Sequence, residues 1–94
     1  MDDRVYRLAG DYSLYRAEVG EGSQYFLFNI KDGTIYRLNE VSFTMLSLFD
    51  GNKGLTAVFD RLKNIYDTDE TKLHNDLNRM LTEWRTRDIL LPIG

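Results

Sequence analysis

The chain has 94 residues, 43% of them hydrophobic and 13% aromatic, with one proline and no cysteine, which is enough for one core and not two. The aromatic content excludes an intrinsically disordered chain, the lack of cysteine excludes disulfides, thiolate metal sites and thiol catalysis, and no apolar run approaches the roughly 18 residues of a membrane span. Twelve Lys and Arg against fifteen Asp and Glu give a net charge of −3 with alternating signs along the chain, whereas nucleic-acid binding calls for a basic stripe that neutralises phosphates.

The N-terminus, Met1-Asp2-Asp3-Arg4, is acidic and polar, unlike a secretory signal, so the expected location is cytoplasmic. Residues 1–94 read as a single domain with its core at about 12–91. The first strand is expected over Tyr12–Val19, which mixes aromatic, aliphatic and polar residues without a helical stripe. Gly20-Glu21-Gly22-Ser23 then reads as a loop between strands, since no helix follows that could receive a phosphate. Tyr25–Ile30 and Thr34–Leu38 flank Lys31-Asp32-Gly33, and Asp-Gly between apolar runs signals a hairpin. A three-residue loop would pair Ile30 with Thr34, Phe28 with Tyr36 and Phe26 with Leu38. It would collect Phe26, Phe28, Ile30, Tyr36 and Leu38 on one buried face, which is the criterion that normally selects a register.

Three helices are expected next. Asn39 is a good N-cap for a first helix with an apolar stripe of Val41, Met45, Leu48 and Phe49, ended by Asp50-Gly51-Asn52. The second helix carries Leu55, Val58, Phe59, Leu62 and either Ile65 or Tyr66 at helical spacing. The third starts near Thr68 or Asp69. Acidic residues lie at its N-terminus and Arg85 and Arg87 at its C-terminus, as the macrodipole favours, and Leu73, Leu77, Met80, Leu81 and Trp84 form its apolar face. A short apolar tail, Asp88–Leu91, follows, and Pro92 is expected to stop any ladder. Strands followed by helices predict an α+β fold, a three-stranded antiparallel sheet followed by a three-helix bundle of winged helix-turn-helix type.

Catalytic constellations are missing. The single histidine, His74, sits among Leu73, Asn75 and Asp76 and reads as a solvated helix residue. There is no HExxH, P-loop, GxSxG or GxGxxG pattern. No catalytic residue, metal ligand or cofactor is assigned.

The run Tyr36-Arg37-Leu38-Asn39-Glu40, followed by Met45, Leu48-Phe49-Asp50-Gly51, Val58, Leu62, Tyr66-Asp67, Asp76-Leu77, Leu81 and Ile89-Leu90, resembles the PqqD-like domains, also called RiPP recognition elements. The resemblance covers about residues 12–91. It departs from the family at Gly54, where Thr is frequent, at Leu46, where Trp is frequent, and at Asp88, which replaces a glycine. It implies a non-catalytic domain that holds the leader segment of a ribosomally made precursor peptide and presents it to a modifying enzyme, often a radical SAM enzyme. In the family the leader lies as an added strand in a cleft against the third helix. On this sequence that implies a binding set of Thr34, Ile35, Tyr36, Arg37, Leu38, Leu73, Asp76, Leu77 and Met80. The residues support it in part. The third strand of a meander is an edge, with unpaired N–H and C=O groups in a row, and an extended peptide completes such a ladder. Two other readings remain open here: a winged-helix DNA binder with the third helix in the major groove, and a homodimeric scaffold in which two edge strands pair.

Overall fold

The computed structural model describes residues 4–93; Met1–Asp3, part of the acidic N-terminus above, and Gly94 lie outside it. In chain order the elements are β1 (Val5–Leu8), β2 (Tyr12–Val19), β3 (Gly22–Asn29), β4 (Ile35–Leu38), α1 (Glu40–Leu48), β5 (Asp50–Gly54), α2 (Leu55–Ile65), α3 (Glu70–Thr86) and β6 (Leu90–Ile93). Strands β2, β3 and β4 form the expected antiparallel meander with β4 at its edge, and the three helices follow. A second antiparallel sheet, ordered β5-β1-β6, has no counterpart in the sequence-based expectations. Its central strand buries Tyr6 completely, and the phenol ring meets Phe49 edge-on at 6.2 Å.

The tail differs from expectation. Rather than stopping a ladder, Pro92 lies within β6 opposite Tyr6 of β1. β6 is an edge strand of its sheet, where a residue without an N–H is tolerated. Gly51 sits in β5 with φ of +86°. A Cβ there would come within 3.1 Å of the Ile93 side chain, so this close approach of β5 to the tail requires glycine.

The hairpin register also differs. Tyr25 pairs with Leu38, Phe26 with Arg37, Leu27 with Tyr36 and Phe28 with Ile35, one residue away from the three-residue-loop alignment. The cause is side-chain chemistry in the turn. The Asn29 Oδ1 accepts from the amides of Lys31 (3.0 Å) and Asp32 (3.4 Å), and the Gly33 amide returns to the Asn29 carbonyl at 2.8 Å. Asp32 Oδ1 then accepts from the Thr34 amide at 2.8 Å, a bond that holds the Asp32 carboxyl below its ordinary pKa. These Asx bonds lengthen the loop to residues 30–33, with Gly33 at φ +79°. The parity of the whole meander changes with it. Leu27 is buried, and Tyr12, Leu14, Tyr36 and Leu38 pack beside it against the helical core. Phe26 and Phe28 stand on the opposite face with Ser13, Tyr15 and Ile35, around a depression of about 300 Å³. Ile30 is exposed in the loop.

The helices keep their expected starts. Asn39 caps α1 by accepting from the Ser42 amide at 2.7 Å, and Asp69 caps α3 by accepting from Thr71. In α1 the expected stripe holds at Met45 and Phe49, which are buried, and at Leu48, which packs on the core; Val41 is exposed, and Ser42 and Leu46 are buried as well. In α2 the fifth apolar position is resolved in favour of Tyr66, which packs on the core and donates to Thr44 Oγ1 at 3.1 Å; Ile65 is exposed.

Helix α3 ends in a Schellman motif. The Ile89 amide bonds to the Trp84 carbonyl at 2.8 Å and the Asp88 amide to that of Arg85 at 3.1 Å. This geometry needs a left-handed residue between them, and Asp88 supplies it at φ +57°. Trp84 and Ile89, the two positions whose apolar contact accompanies the motif, are both in the core cluster. Asp88→Gly is expected to stabilise the domain by about 0.5–1 kcal/mol, the left-handed penalty of a side chain less the larger unfolded-state entropy of glycine, read as a rise in urea midpoint at constant m-value. The Tyr6 hydroxyl is buried without a hydrogen-bond partner among the described residues. Tyr6→Phe should therefore leave the melting temperature unchanged or raise it, because an unmet buried donor costs more than its replacement by hydrogen.

Candidate functional site

The open side of β4 faces α3 across a cleft. Among the described residues strand β4 pairs only with β3, and the β6 tail pairs with β1. Ladder bonds in an antiparallel pair alternate between the two sides of a strand. Asn29 donates to the Thr34 carbonyl, so Tyr36 and Leu38, in step with Thr34, turn their backbone groups to β3. The N–H and C=O groups of Ile35 and Arg37 are left on the open side.

Below this edge lies a cavity of about 250 Å³ lined by Leu27, Tyr36, Arg37, Leu38, Asn39, Ser42, Met80, Glu83, Trp84, Arg87 and Ile89. A second cavity, of about 210 Å³, shares Asn39, Ser42 and Met80 with it and adds Val41, Met45, Asp76 and Arg79. The two run along one side of α3 from Asp76 to Arg87. At 1.5 Å per residue that is about 16 Å, the length of about five residues of strand. The floor is apolar, from Leu27, Tyr36, Leu38, Met80, Trp84 and Ile89. The rim is charged: Asp76 pairs with Arg79 and Glu83 with Arg87, each at 3.4 Å.

The sequence-predicted site residues divide into three groups. Tyr36, Arg37, Leu38, Asp76 and Met80 line the cleft. Ile35 contributes backbone to the open edge while its side chain, 61% exposed, stands on the outer face of the sheet; Thr34 belongs to the turn, where its amide is held by Asp32. Leu73 and Leu77, 4% and 1% exposed, are core residues and line neither cavity. They lie on the side of α3 that packs inward, about a fifth of a turn from the cleft face. The cleft also takes in Asn39, Ser42, Glu83, Trp84, Arg87 and Ile89, none of them in the predicted set. Asp76, Met80, Glu83 and Arg87 follow one another at i, i+4, i+7 and i+11, a mixed stripe beside the apolar one, and that spacing was the available signal.

No group of three or more His, Asp or Glu among the described residues could hold a metal ion, and no helix is long and apolar enough to cross a membrane. The outer-face depression, by contrast, is lined by five residues of the meander alone, Ile35 among them, and by no residue of a helix.

The family model described as Coenzyme PQQ synthesis protein D (PqqD) matches residues 24–90, most of the chain and all of the cleft, and the chain belongs to that family. Two solved structures share its fold. One is described as TbiB1 in complex with the TbiA(beta) leader peptide, with a TM-score of 0.69 at 18% identity over 94% of this chain and 98% of that one. The other is lasso peptide synthetase B1 complexed with the leader peptide, with a TM-score of 0.72 at 18% identity over 93% and 98% of the two chains. No curated protein matches the chain in sequence.

Truncation separates core from cleft on α3. Leu77→Ala is expected to cost about 2–4 kcal/mol, as a fully buried leucine does, whereas the half-buried Met80→Ala should cost about 1 kcal/mol or less. Equal losses in denaturant unfolding would contradict this division of the helix.

Proposed function

We propose that this PqqD-family domain is a non-catalytic peptide chaperone: it binds the leader segment of a ribosomally made precursor peptide as a strand added to β4, in the cleft against α3, and presents the rest of the peptide to a modifying enzyme. The observation that carries the reading is the open β4 edge set over an apolar floor of strand-like length. Backbone groups of Ile35 and Arg37 would bond the peptide, and alternate peptide side chains would descend onto Tyr36, Leu38, Met80 and Trp84. That division is the general logic of strand addition, with the ladder giving affinity and the pockets giving specificity. Membership of the family supports it, and so does a fold shared with two proteins solved with leader peptides bound. In this reading Leu73 and Leu77 act by holding α3 in place, and Asp76 by pairing with Arg79 at the far rim.

The test uses the full chain and the leader segment of a candidate precursor peptide encoded beside its gene. Binding should slow amide hydrogen exchange at Ile35 and Arg37, with little change at Tyr36 and Leu38, whose amides already bond β3. It should also shift the emission of Trp84, the single tryptophan of the chain, which lies in the cleft. Saturable binding that leaves the Ile35 and Arg37 amides unprotected would overturn strand addition at β4. A concentration-dependent protection of the same two amides without peptide would favour pairing of two edges instead.

A further inference from the structure

The charges around the cleft are unevenly matched. Arg37, Arg79 and Arg87 border it against two carboxylates, Asp76 and Glu83, and Arg37, opposite Phe26, sends its side chain to the outer face of the sheet. Each carboxylate is taken by an arginine of α3, one turn further along the helix. Arg37 is exposed, and no ion pair engages it among the described residues. The chain as a whole carries −3, yet this end of the cleft, with Arg37, Arg87 and Glu83, is net positive. The Glu83–Arg87 pair is about half exposed on both sides, the kind of surface pair that contributes little and exchanges partners readily.

Strand geometry says where a complementary charge would sit. Arg37 alternates with Tyr36 and Leu38, so a peptide residue directly opposite Arg37 shares its face of the sheet, and the residues on either side of it point down to the apolar floor. Arginine also matches a carboxylate better than lysine does, through paired N–H donors.

We infer that the cleft selects an extended peptide carrying an acidic residue between two apolar ones, with the apolar pair on the Tyr36–Leu38–Met80–Trp84 floor and the carboxylate held by Arg37 on the outer face of the sheet. The inference rests on the strand-addition reading and adds a chemical class of ligand to it. Opposite charges paired across strands contribute enough to change affinity about two- to five-fold.

The test pans a display library of random fourteen-residue peptides on the full chain, and in parallel on Arg37→Gln, Arg87→Gln and Arg37→Glu. The expected result is enrichment of apolar–acidic–apolar triplets on the parent chain, loss of the acidic preference with the apolar one retained in Arg37→Gln, an unchanged acidic preference in Arg87→Gln, and exchange of acidic for basic residues in Arg37→Glu. For a selected peptide, Asp or Glu to the neutral amide should weaken binding about five-fold at low salt and less at high salt. Enriched peptides that protect the Ile35 and Arg37 amides but show no acidic preference would overturn this inference and leave strand addition standing. Enriched peptides that do not protect those amides, or no enrichment at all, would overturn both.

Discussion

The three Asx bonds of the Asn29–Thr34 turn set the parity on which the rest of the molecule depends. With Asn29 holding the amides of Lys31 and Asp32, and Asp32 holding that of Thr34, the chain re-enters the sheet with Tyr36 and Leu38 facing inward beside Leu27. A loop one residue shorter would turn both to solvent and aim Ile35 and Arg37 at the helices. It would also turn the β3-bonded backbone groups to the open side. The cleft floor, the open hydrogen-bonding groups and the outward stance of Arg37 are thus three consequences of one turn.

Helix α3 works on two adjacent faces. Leu73, Leu77, Leu81 and Trp84 are buried in the core, and Asp76, Met80, Glu83 and Arg87 run beside them along the cleft. Trp84 belongs to both sets. Its position is secured by the Schellman turn at Arg87–Ile89, which brings Ile89 back under it and starts β6 toward β1. The cleft wall is therefore continuous with the core behind it, and β6 pairs with β1 rather than with the β4 edge. The cost is a non-glycine residue in the left-handed region at Asp88, the position where the resembled family has glycine.

Where local chemistry governed, the sequence was legible. The bounds of β2, the caps Asn39 and Asp69, the apolar stripes of α2 and α3, and the edge position of β4 follow from propensity, capping and periodicity. The second sheet was not legible because none of its strands forms for local reasons. Asp50-Gly51-Asn52-Lys53-Gly54 is turn chemistry at every position and becomes β5 only by pairing with β1. β6 contains a proline that an edge tolerates, and Val5–Leu8 is too short to show alternation. The expected hairpin register fails because Ile30 belongs to the loop and not to the strand, the Asn29 side chain accepting the turn amides one residue earlier. Two apolar faces made burial an unreliable guide as well: Phe26 and Phe28 were as plausible inside as Leu27. For the site, the strand half and Met80 and Asp76 were readable from the resemblance. The C-terminal turn of the cleft was not, because Glu83 and Arg87 look like a solvated helix pair and Trp84 like simple core.

An undefended edge is a hazard in most sheets, and β4 carries neither proline nor bulge. Its protection is geometric and electrostatic. The strand is four residues long, closed at one end by the Gly33 turn and at the other by the Asn39 cap, and α3 forms a wall beside it. A single extended chain fits between edge and wall, while a second sheet bringing its own helix would meet α3. Pairing of two β4 edges about a twofold axis would also bring each Arg37 toward its symmetry mate and one set of guanidiniums toward another, and facing like charges destabilise a strand pair. The same arginine that would recognise an acidic peptide therefore opposes self-association of the edge. Specificity for a ligand and defence against a second copy are, on this account, two effects of one charge standing outward from a short strand.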